Sequence, residues 1–335
     1  LAASPQNGTR VIFRYKEEKG SNPYDSSQAF RSTESLARQA IWEAGFYSDW
    51  KEVKNGVMEP GKFRGEETLM RYILDLASPA MERRVVYFTR GHGESSPQDL
   101  DPREGNSVLR GLMEDRNIKV ATLDLGTIER MPNDALALVI SGPKAIFQDK
   151  EVKLLRNFLN QNRGRVLLAL DPVEEMALSD RPALGLRPLL KEWGIRCHDM
   201  LVFDPKRENF DLFSGAYFLR TYQREASHPV VKNLMNEGFS ILADRCRPVE
   251  IENSAQSPFM GQELIFSSRD SWALSSWTER SFPPEKNTLL DLAGPVPVLS
   301  VSQPNPKQAS QAGLTAAGKL MVLGSSKILS NEKLR

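Results

Sequence analysis

The sequence is poor in cysteine and in histidine. Its 335 residues include two cysteines, Cys197 and Cys246, and three histidines. The cysteines form no CxxC pair and have too few companions for a structural zinc site. Two thiols permit one disulfide in an oxidising compartment, but two separate buried thiols fit the sequence equally well. The sequence therefore leaves the pairing of Cys197 with Cys246 open.

A charge excess of either sign is also missing. Lys and Arg together number 44 against 43 for Asp and Glu, which gives a net charge of +1. This balance argues against a nucleic-acid partner. No apolar run is long enough to cross a bilayer, and neither end resembles a signal peptide. Because the chain begins with Leu1, we expect it to be a soluble portion of a longer protein.

Motifs for nucleotide binding and covalent catalysis are missing as well. The sequence contains no GxGxxG after a strand, no GxxxxGK[ST] and no GxSxG. A cysteine nucleophile would need a tight turn between a strand and a helix, yet Cys197 follows a predicted helix. We therefore predict no catalytic residue, no cofactor and no ATPase activity.

Apolar runs that alternate with amphipathic segments dominate the middle of the chain. They predict strands over 84–90, 118–125, 134–141 and 165–170, with helices over about 107–116, 149–162 and 184–193. Asn106 or Ser107 is suited to cap the first of these helices. Continuously apolar strands indicate a doubly wound, mainly parallel α/β sheet that is covered on both faces.

Regions on either side of this pattern are less regular. We expect a small N-terminal region over 1–62, a parallel α/β domain over 63–203 and a β-rich segment over 204–335 that packs on or continues this domain. Within the first region, apolar spacing predicts a helix over 32–43. Within the last, 303–318 is predicted to be a polar linker or an exposed loop.

Three loops should meet at the carboxyl edge of the parallel sheet, namely 91–105, 142–147 and 171–180. The candidate binding residues at this edge are His92, Glu94, Ser141, Gly142, Pro143 and Asp171. The simpler alternative is that Gly142, Pro143 and their neighbours only end strands and fix the loops.

His92 and Glu94 invite two interpretations. An HxE pair can bind a metal, but His198 and His228 do not follow strands at this edge, so we predict no metal site. If the pair recognises a partner, alanine variants should keep their melting temperature and lose binding. If the pair is scaffolding, the variants should melt early.

A series of collinear motifs resembles the auxiliary component of the gliding-motility type of ABC transport system. The matching residues extend from about Gly61 to the end of the chain. They are Phe63-Arg64-Gly65-Glu66-Glu67, Gly91-His92-Gly93-Glu94, Val139-Ile140-Ser141-Gly142-Pro143, Leu168-Ala169-Leu170-Asp171-Pro172, Trp193-Gly194-Ile195, Ser227-His228-Pro229, Asp270-Ser271-Trp272, Val322-Leu323-Gly324-Ser325-Ser326 and Ser330-Asn331.

The resemblance implies a fold like that of class I glutamine amidotransferases, used without their catalysis. It implies a non-catalytic binding or assembly module beside an ABC permease, with the ATPase on a separate subunit. It further implies an extracytoplasmic (periplasmic) location, anchored by transmembrane helices outside this sequence, and envelope peptide, glycan or lipid as cargo. The alternative is a hydrolase of cell-envelope glycan that uses Glu94 and Asp171 as acid and base.

Overall fold

The computed structural model describes most of the chain from residue 85 onward and short stretches before it. The described residues are 10–13, 39–42, 47–48, 51–54, 57–59, 62–63, 66, 85–116, 118–161, 163–172, 182–206, 210–211, 216–219, 228–232, 241–252, 254, 256–275, 286–314 and 316–334. The chain divides into two compact units, one of residues 1–84 and 112–119 and one of residues 85–111 and 120–335.

Short antiparallel strand pairs make up the described part of the N-terminal region. The strands are β1 (Arg10–Phe13), β2 (Gln39–Trp42), β3 (Tyr47–Ser48), β4 (Lys51–Lys54), β5 (Val57–Glu59) and β6 (Lys62–Phe63). The helix expected over 32–43 is wrong at β2, where Ile41 pairs with Val11 of β1. β-branched and aromatic residues such as Ile41 and Trp42 favour strands when a partner strand is available.

The larger unit is built mainly of strands. They are β7 (Val85–Arg90), β8 (Lys119–Asp124), β9 (Ala135–Ser141), β10 (Arg165–Ala169), β11 (Ile195–Cys197), β12 (Leu201–Phe203), β13 (Phe210–Asp211), β14 (Ala216–Leu219), β15 (Ile241–Ala243), β16 (Val249–Ile251), β17 (Phe259–Phe266), β18 (Trp272–Leu274), β19 (Leu292–Ala293), β20 (Pro297–Pro304) and β21 (Lys319–Leu323). The described α-helices after residue 85 are α1 (Ser107–Glu114), α2 (Asp149–Gln161), α3 (Arg187–Glu192) and α4 (Pro306–Gln311).

Seven strands form the central sheet, in the order β17-β20-β21-β10-β9-β7-β8. Strands β21, β10, β9 and β7 are parallel to one another. Strand β20 is antiparallel to β21, and β17 is antiparallel to β20. The expectation that β7, β8, β9 and β10 share one mainly parallel sheet is confirmed. The architecture is therefore mixed α/β, with a mostly parallel central sheet and few helices among the described residues.

The last third of the chain completes this sheet. Strands β17, β20 and β21 all come from beyond residue 204, and β21 pairs in parallel with β10. The linker expected over 303–318 is wrong in part, because it contains α4, whose first turn is capped by the Asn305 side chain. Smaller antiparallel sheets join β11 with β16, β12 with β18 and β19, and β14 with β13 and β15. The boundaries at 62/63 and 203/204 stay predictions.

Two hydrophobic cores cover the central sheet. Because side chains alternate along a strand, Val166 and Leu168 of β10 belong to one core, whereas Ala169 belongs to the other. The first core contains the buried faces of α2, including Phe158, and of α3, together with Trp193, which follows α3. The second contains side chains of β12, β15, β17 and β20.

Both cysteines are unpaired thiols in this fold. Burial raises the pKa of the Cys197 thiol to about 11 and also raises the pKa of the Cys246 thiol. The reactive thiolate is therefore scarce at neutral pH. We expect two titratable thiols in the unfolded, unreduced protein and at least about tenfold slower alkylation in the folded protein. Recovery of no free thiol after unfolding would contradict this arrangement.

Candidate functional site

Two glycines with left-handed backbones end strand β7. Gly91 has φ of +113° and Gly93 has φ of +79°, conformations that a Cβ atom would strain. The chain therefore turns sharply at the carboxyl end of the strand and places His92 between the two glycines. The backbone carbonyl of His92 accepts hydrogen bonds from the N–H groups of Lys144 (2.6 Å) and Ala145 (3.1 Å). These bonds join the loop after β7 to the loop after β9.

The imidazole of His92 is buried, with 8% of its surface exposed. Its Nε2 lies 3.0 Å from a carboxylate oxygen of Glu151, and its ring stacks on Phe147 with the centroids 4.0 Å apart. Glu151 also accepts a hydrogen bond from the backbone N–H of Gln148 (2.7 Å) at the start of α2. This backward contact is a capping-box contact, which satisfies an N–H group at a helix N-terminus. His92 thus connects the end of β7 to the start of α2.

The side chain of Glu94 is completely buried. One of its oxygens accepts a hydrogen bond from the hydroxyl of Thr89 (2.9 Å), and the other accepts one from the backbone N–H of His92 (2.7 Å). Its carboxylate is also 3.5 Å from His92 Nδ1. The structure therefore brings His92 and Glu94 together, as expected, but it directs both side chains inward.

Ser141, Gly142 and Pro143 end strand β9 in a buried position. The hydroxyl of Ser141 accepts a hydrogen bond from the side chain of Asn106 (3.1 Å). Gly142 has φ of +63°, and a Cβ atom there would lie 2.6 Å from the hydroxyl oxygen of Ser326. Steric space and backbone conformation therefore both require glycine at position 142.

Asp171 follows strand β10 and binds the segment after β21. Its two carboxylate oxygens accept hydrogen bonds from the backbone N–H (2.6 Å) and the hydroxyl (2.7 Å) of Ser326. A Cβ atom on Gly142 would lie 3.0 Å from one of these oxygens. Gly142 and Asp171 are thus neighbours, as expected for two strand ends at one edge. Loop residues 173–180 lie outside the described residues.

Arg247 is a functional candidate that the sequence did not indicate. It is 1% exposed, and its guanidinium donates hydrogen bonds to the backbone carbonyls of Asp171 (3.2 Å) and His198 (2.9 Å). The same group pairs with the carboxylate of Asp199. A buried arginine is tolerated when its charge and its donors are satisfied in this way. No local motif marks Arg247, because its partners are distant in sequence.

Asn331 is a second residue whose role the sequence did not indicate. It is fully buried, and its side-chain oxygen accepts a hydrogen bond from the backbone N–H of Val108 (2.8 Å) in the first turn of α1. We expected Asn106 or Ser107 to cap this helix, but the Asn106 side chain binds Ser141 instead. The pair Ser330-Asn331 is one of the motifs that carry the family resemblance, but its local sequence does not indicate which residues it hydrogen-bonds.

The described residues contain no group of three or more His, Cys, Asp or Glu side chains that could hold a metal ion. Within the same residues, no helix combines the length and the apolar character needed to span a membrane. The carboxylates of Glu94 and Asp171 at the carboxyl edge belong instead to a hydrogen-bond network within the chain. Such a network stabilises loop positions and leaves its carboxylates engaged.

The protein is of the mixed α/β class, with a mostly parallel central sheet. The segment after β21 contacts the carboxyl edge of this sheet through Ser326 and Asp171. The chain belongs to the family described as ABC-type uncharacterized transport system, which matches residues 83–334. It is thus an auxiliary component of an ABC transport system. No curated protein sequence matches the chain.

Solved structures are similar at low sequence identity. The mmIFT52 N-terminal domain is 17% identical with a TM-score of 0.47, over 75% of this chain and 90% of that one. The exo-β-1,4-mannosidase Op5Man5 from Opitutaceae bacterium strain TAV5 is 11% identical with a TM-score of 0.38, over 80% of this chain and 36% of that one. A putative ThuA-like protein from Bacteroides uniformis is 11% identical with a TM-score of 0.36, over 77% of this chain and 93% of that one.

Gly142 offers a direct test of the packing at this edge. We expect Gly142→Ala to lower the free energy of unfolding by about 1–2 kcal/mol through backbone strain and by about 1–3 kcal/mol more through overpacking against Ser326. Gly313→Ala is the matched control, because Gly313 has φ of +71° but no heavy atom within 4 Å of the point where a Cβ atom would lie. Urea denaturation measures both variants. Equal destabilisation would contradict the close packing at Gly142.

The buried contacts of His92 predict that it supports the fold. We expect His92→Ala to lower the free energy of unfolding by about 1–3 kcal/mol, because Glu94 and Glu151 lose a buried partner. Lys153→Ala, on the exposed side of α2, should change it by less than about 0.5 kcal/mol. A double-mutant cycle with Glu151→Gln should give a coupling of at least about 0.5 kcal/mol. An unchanged melting temperature for His92→Ala would instead favour a role in recognition.

Proposed function

We propose that this chain is the extracytoplasmic binding or assembly module of an ABC transport system and that it performs no catalysis. Membership of the family gives the accessory role in transport. The proposal adds a position beside the permease, with the ATPase on a separate subunit. It also adds membrane anchoring by helices outside this sequence and a relationship to gliding-motility systems.

The observation that carries the non-catalytic part of the proposal is the engagement of every candidate carboxylate at the sheet edge. Both oxygens of Glu94 and both oxygens of Asp171 accept hydrogen bonds from other parts of the chain. A glycosidase needs an acid and a base that reach the substrate from about 5–9.5 Å apart. Glu94 has no exposed side-chain surface with which to do so. Nothing in this geometry favours the hydrolase alternative.

A rigid carboxyl edge suits recognition by the loop surfaces that the edge supports. Binding to a preorganised surface costs less conformational entropy than binding to a flexible one. The proposal also includes the more specific fold, a doubly wound sheet like that of class I glutamine amidotransferases. Envelope peptide, glycan or lipid remains the proposed cargo, and His92, Glu94, Ser141, Gly142, Pro143 and Asp171 would support the recognition surface.

Co-purification tests the proposed function. We expect the tagged full-length protein to retain its permease in mild detergent and to retain the ATPase subunit only when the permease is present, because the permease joins the two. Removal of the permease is the control.

Release of sugar from envelope glycan, lost in the Glu94→Gln and Asp171→Asn variants, would support the hydrolase instead. Failure to retain the permease under any mild condition would contradict the proposed function.

A further inference from the structure

His92 lies between two buried carboxylates. Its Nε2 is 3.0 Å from an oxygen of Glu151, and its Nδ1 is 3.5 Å from an oxygen of Glu94. The side chain of Glu94 has no exposed surface, and that of Glu151 is 5% exposed. The ring also stacks on Phe147, which holds it in place. Through its two nitrogens, one imidazole thus connects the loop after β7 with the first turn of α2.

The hydrogen bonds of Glu94 are those of an ionised carboxylate. One oxygen accepts from the hydroxyl of Thr89, and the other accepts from the backbone N–H of His92. A protonated carboxyl group would have to donate a hydrogen bond of its own, whereas an ionised one only accepts. A buried carboxylate charge is costly unless a positive charge lies beside it. Among the described residues, His92 is the basic side chain within 4 Å of Glu94.

The two ring nitrogens of His92 need two hydrogens if each is to face a carboxylate. A neutral imidazole carries one N–H group and one lone pair. If its Nε2–H donates to Glu151, the lone pair lies on Nδ1, which has no hydrogen-bond partner among the described residues and faces the carboxylate of Glu94. The imidazolium carries an N–H group on both nitrogens, so it attracts both carboxylates.

Other charged groups around this loop do not replace the positive charge of the ring. Lys144, whose backbone N–H donates to the carbonyl of His92, has an exposed side chain, and Arg90 at the end of β7 is exposed as well. Water screens such charges. The carboxylate of Asp124, at the end of β8, lies 3.4 Å from the point where a Cβ atom on Gly91 would be, and it adds negative charge. Nearby negative charge favours the imidazolium form of a histidine.

We infer that His92 is a pH-sensitive link at the carboxyl edge of the sheet. As an imidazolium it attracts both Glu94 and Glu151 and holds the loop after β7 against α2. Loss of the proton removes one of the two N–H contacts and leaves two buried carboxylates without a positive charge, so the loop detaches more easily. The stability that comes from the link is therefore present in acid and is lost as the pH rises. Histidine is the side chain whose charge ordinarily changes between about pH 5 and pH 8.

Nitrogen NMR of the 335-residue chain, labelled in its three histidines, tests the protonation of the ring. The signals of His92 are those that disappear in the His92→Gln variant. We expect both ring nitrogens of His92 to carry a hydrogen at about pH 6, and one of them to lose it as the pH is raised. In Glu94→Gln this loss should move to lower pH by about one unit or more, because one of the two attracting carboxylates is gone.

Amide hydrogen exchange tests the attachment of the loop. We expect exchange in residues 93–98 to rise by about fivefold or more between about pH 6 and pH 8, beyond the intrinsic pH dependence of exchange, because local opening becomes easier. His92→Gln should abolish this excess. His198→Gln is the matched control, because His198 also contacts a glutamate, Glu250, but lies outside the loop. It should leave the excess unchanged.

Each outcome supports or overturns the link. An imidazolium at the lower pH, in a loop whose exchange rises as the ring loses its proton, supports it. A neutral ring with a single N–H group at the lower pH overturns it, because Glu94 is then buried without a positive charge beside it. Loop exchange that does not change when the ring loses its proton, or an excess that persists in His92→Gln, also overturns it. The proposed role in transport stands or falls separately, by co-purification.

Discussion

Where the parallel strands end, buried backbone and side-chain polar groups need hydrogen-bond partners from the protein, because water has little access to them. At the carboxyl ends of β7, β9 and β10, each loop begins next to buried backbone and buried side chains. An unsatisfied buried polar group costs about 1–3 kcal/mol, so the position of every loop at this edge depends on finding partners. Here the partners come from α2, from Arg247 and from the segment after β21.

This constraint explains why the candidate side chains at the edge point into the protein. The carboxylate of Glu94 accepts a hydrogen bond from the backbone N–H of His92, and both side chains point into the protein. Both carboxylate oxygens of Asp171 accept hydrogen bonds from Ser326. Buried polar groups that find partners hold the loops at this edge in a defined arrangement. The left-handed glycines are a consequence, because the chain must turn within one or two residues to reach these partners.

An accessory role in transport fits such an architecture. The family membership identifies an auxiliary component, and the geometry contributes loops whose Glu94 and Asp171 carboxylates are hydrogen-bonded within the chain. The exposed loop of residues 96–105 depends on Asn331, which belongs to the last segment of the chain. A disturbance of that segment would therefore alter the outer surface of the loop, although the two are far apart in sequence.

The sequence by itself determined the strands β7, β8, β9 and β10, the helices between them and the gathering of candidate residues at one edge, because apolar periodicity is a local property. Only the tertiary structure decided that β17, β20 and β21 complete the same sheet. It also decided that Ser326 satisfies Asp171 across 155 positions and that Asn331 caps α1 across 223. These contacts depend on where distant strands end in space. A capping asparagine has the same local sequence whichever helix it serves, so no local pattern could have identified its partner.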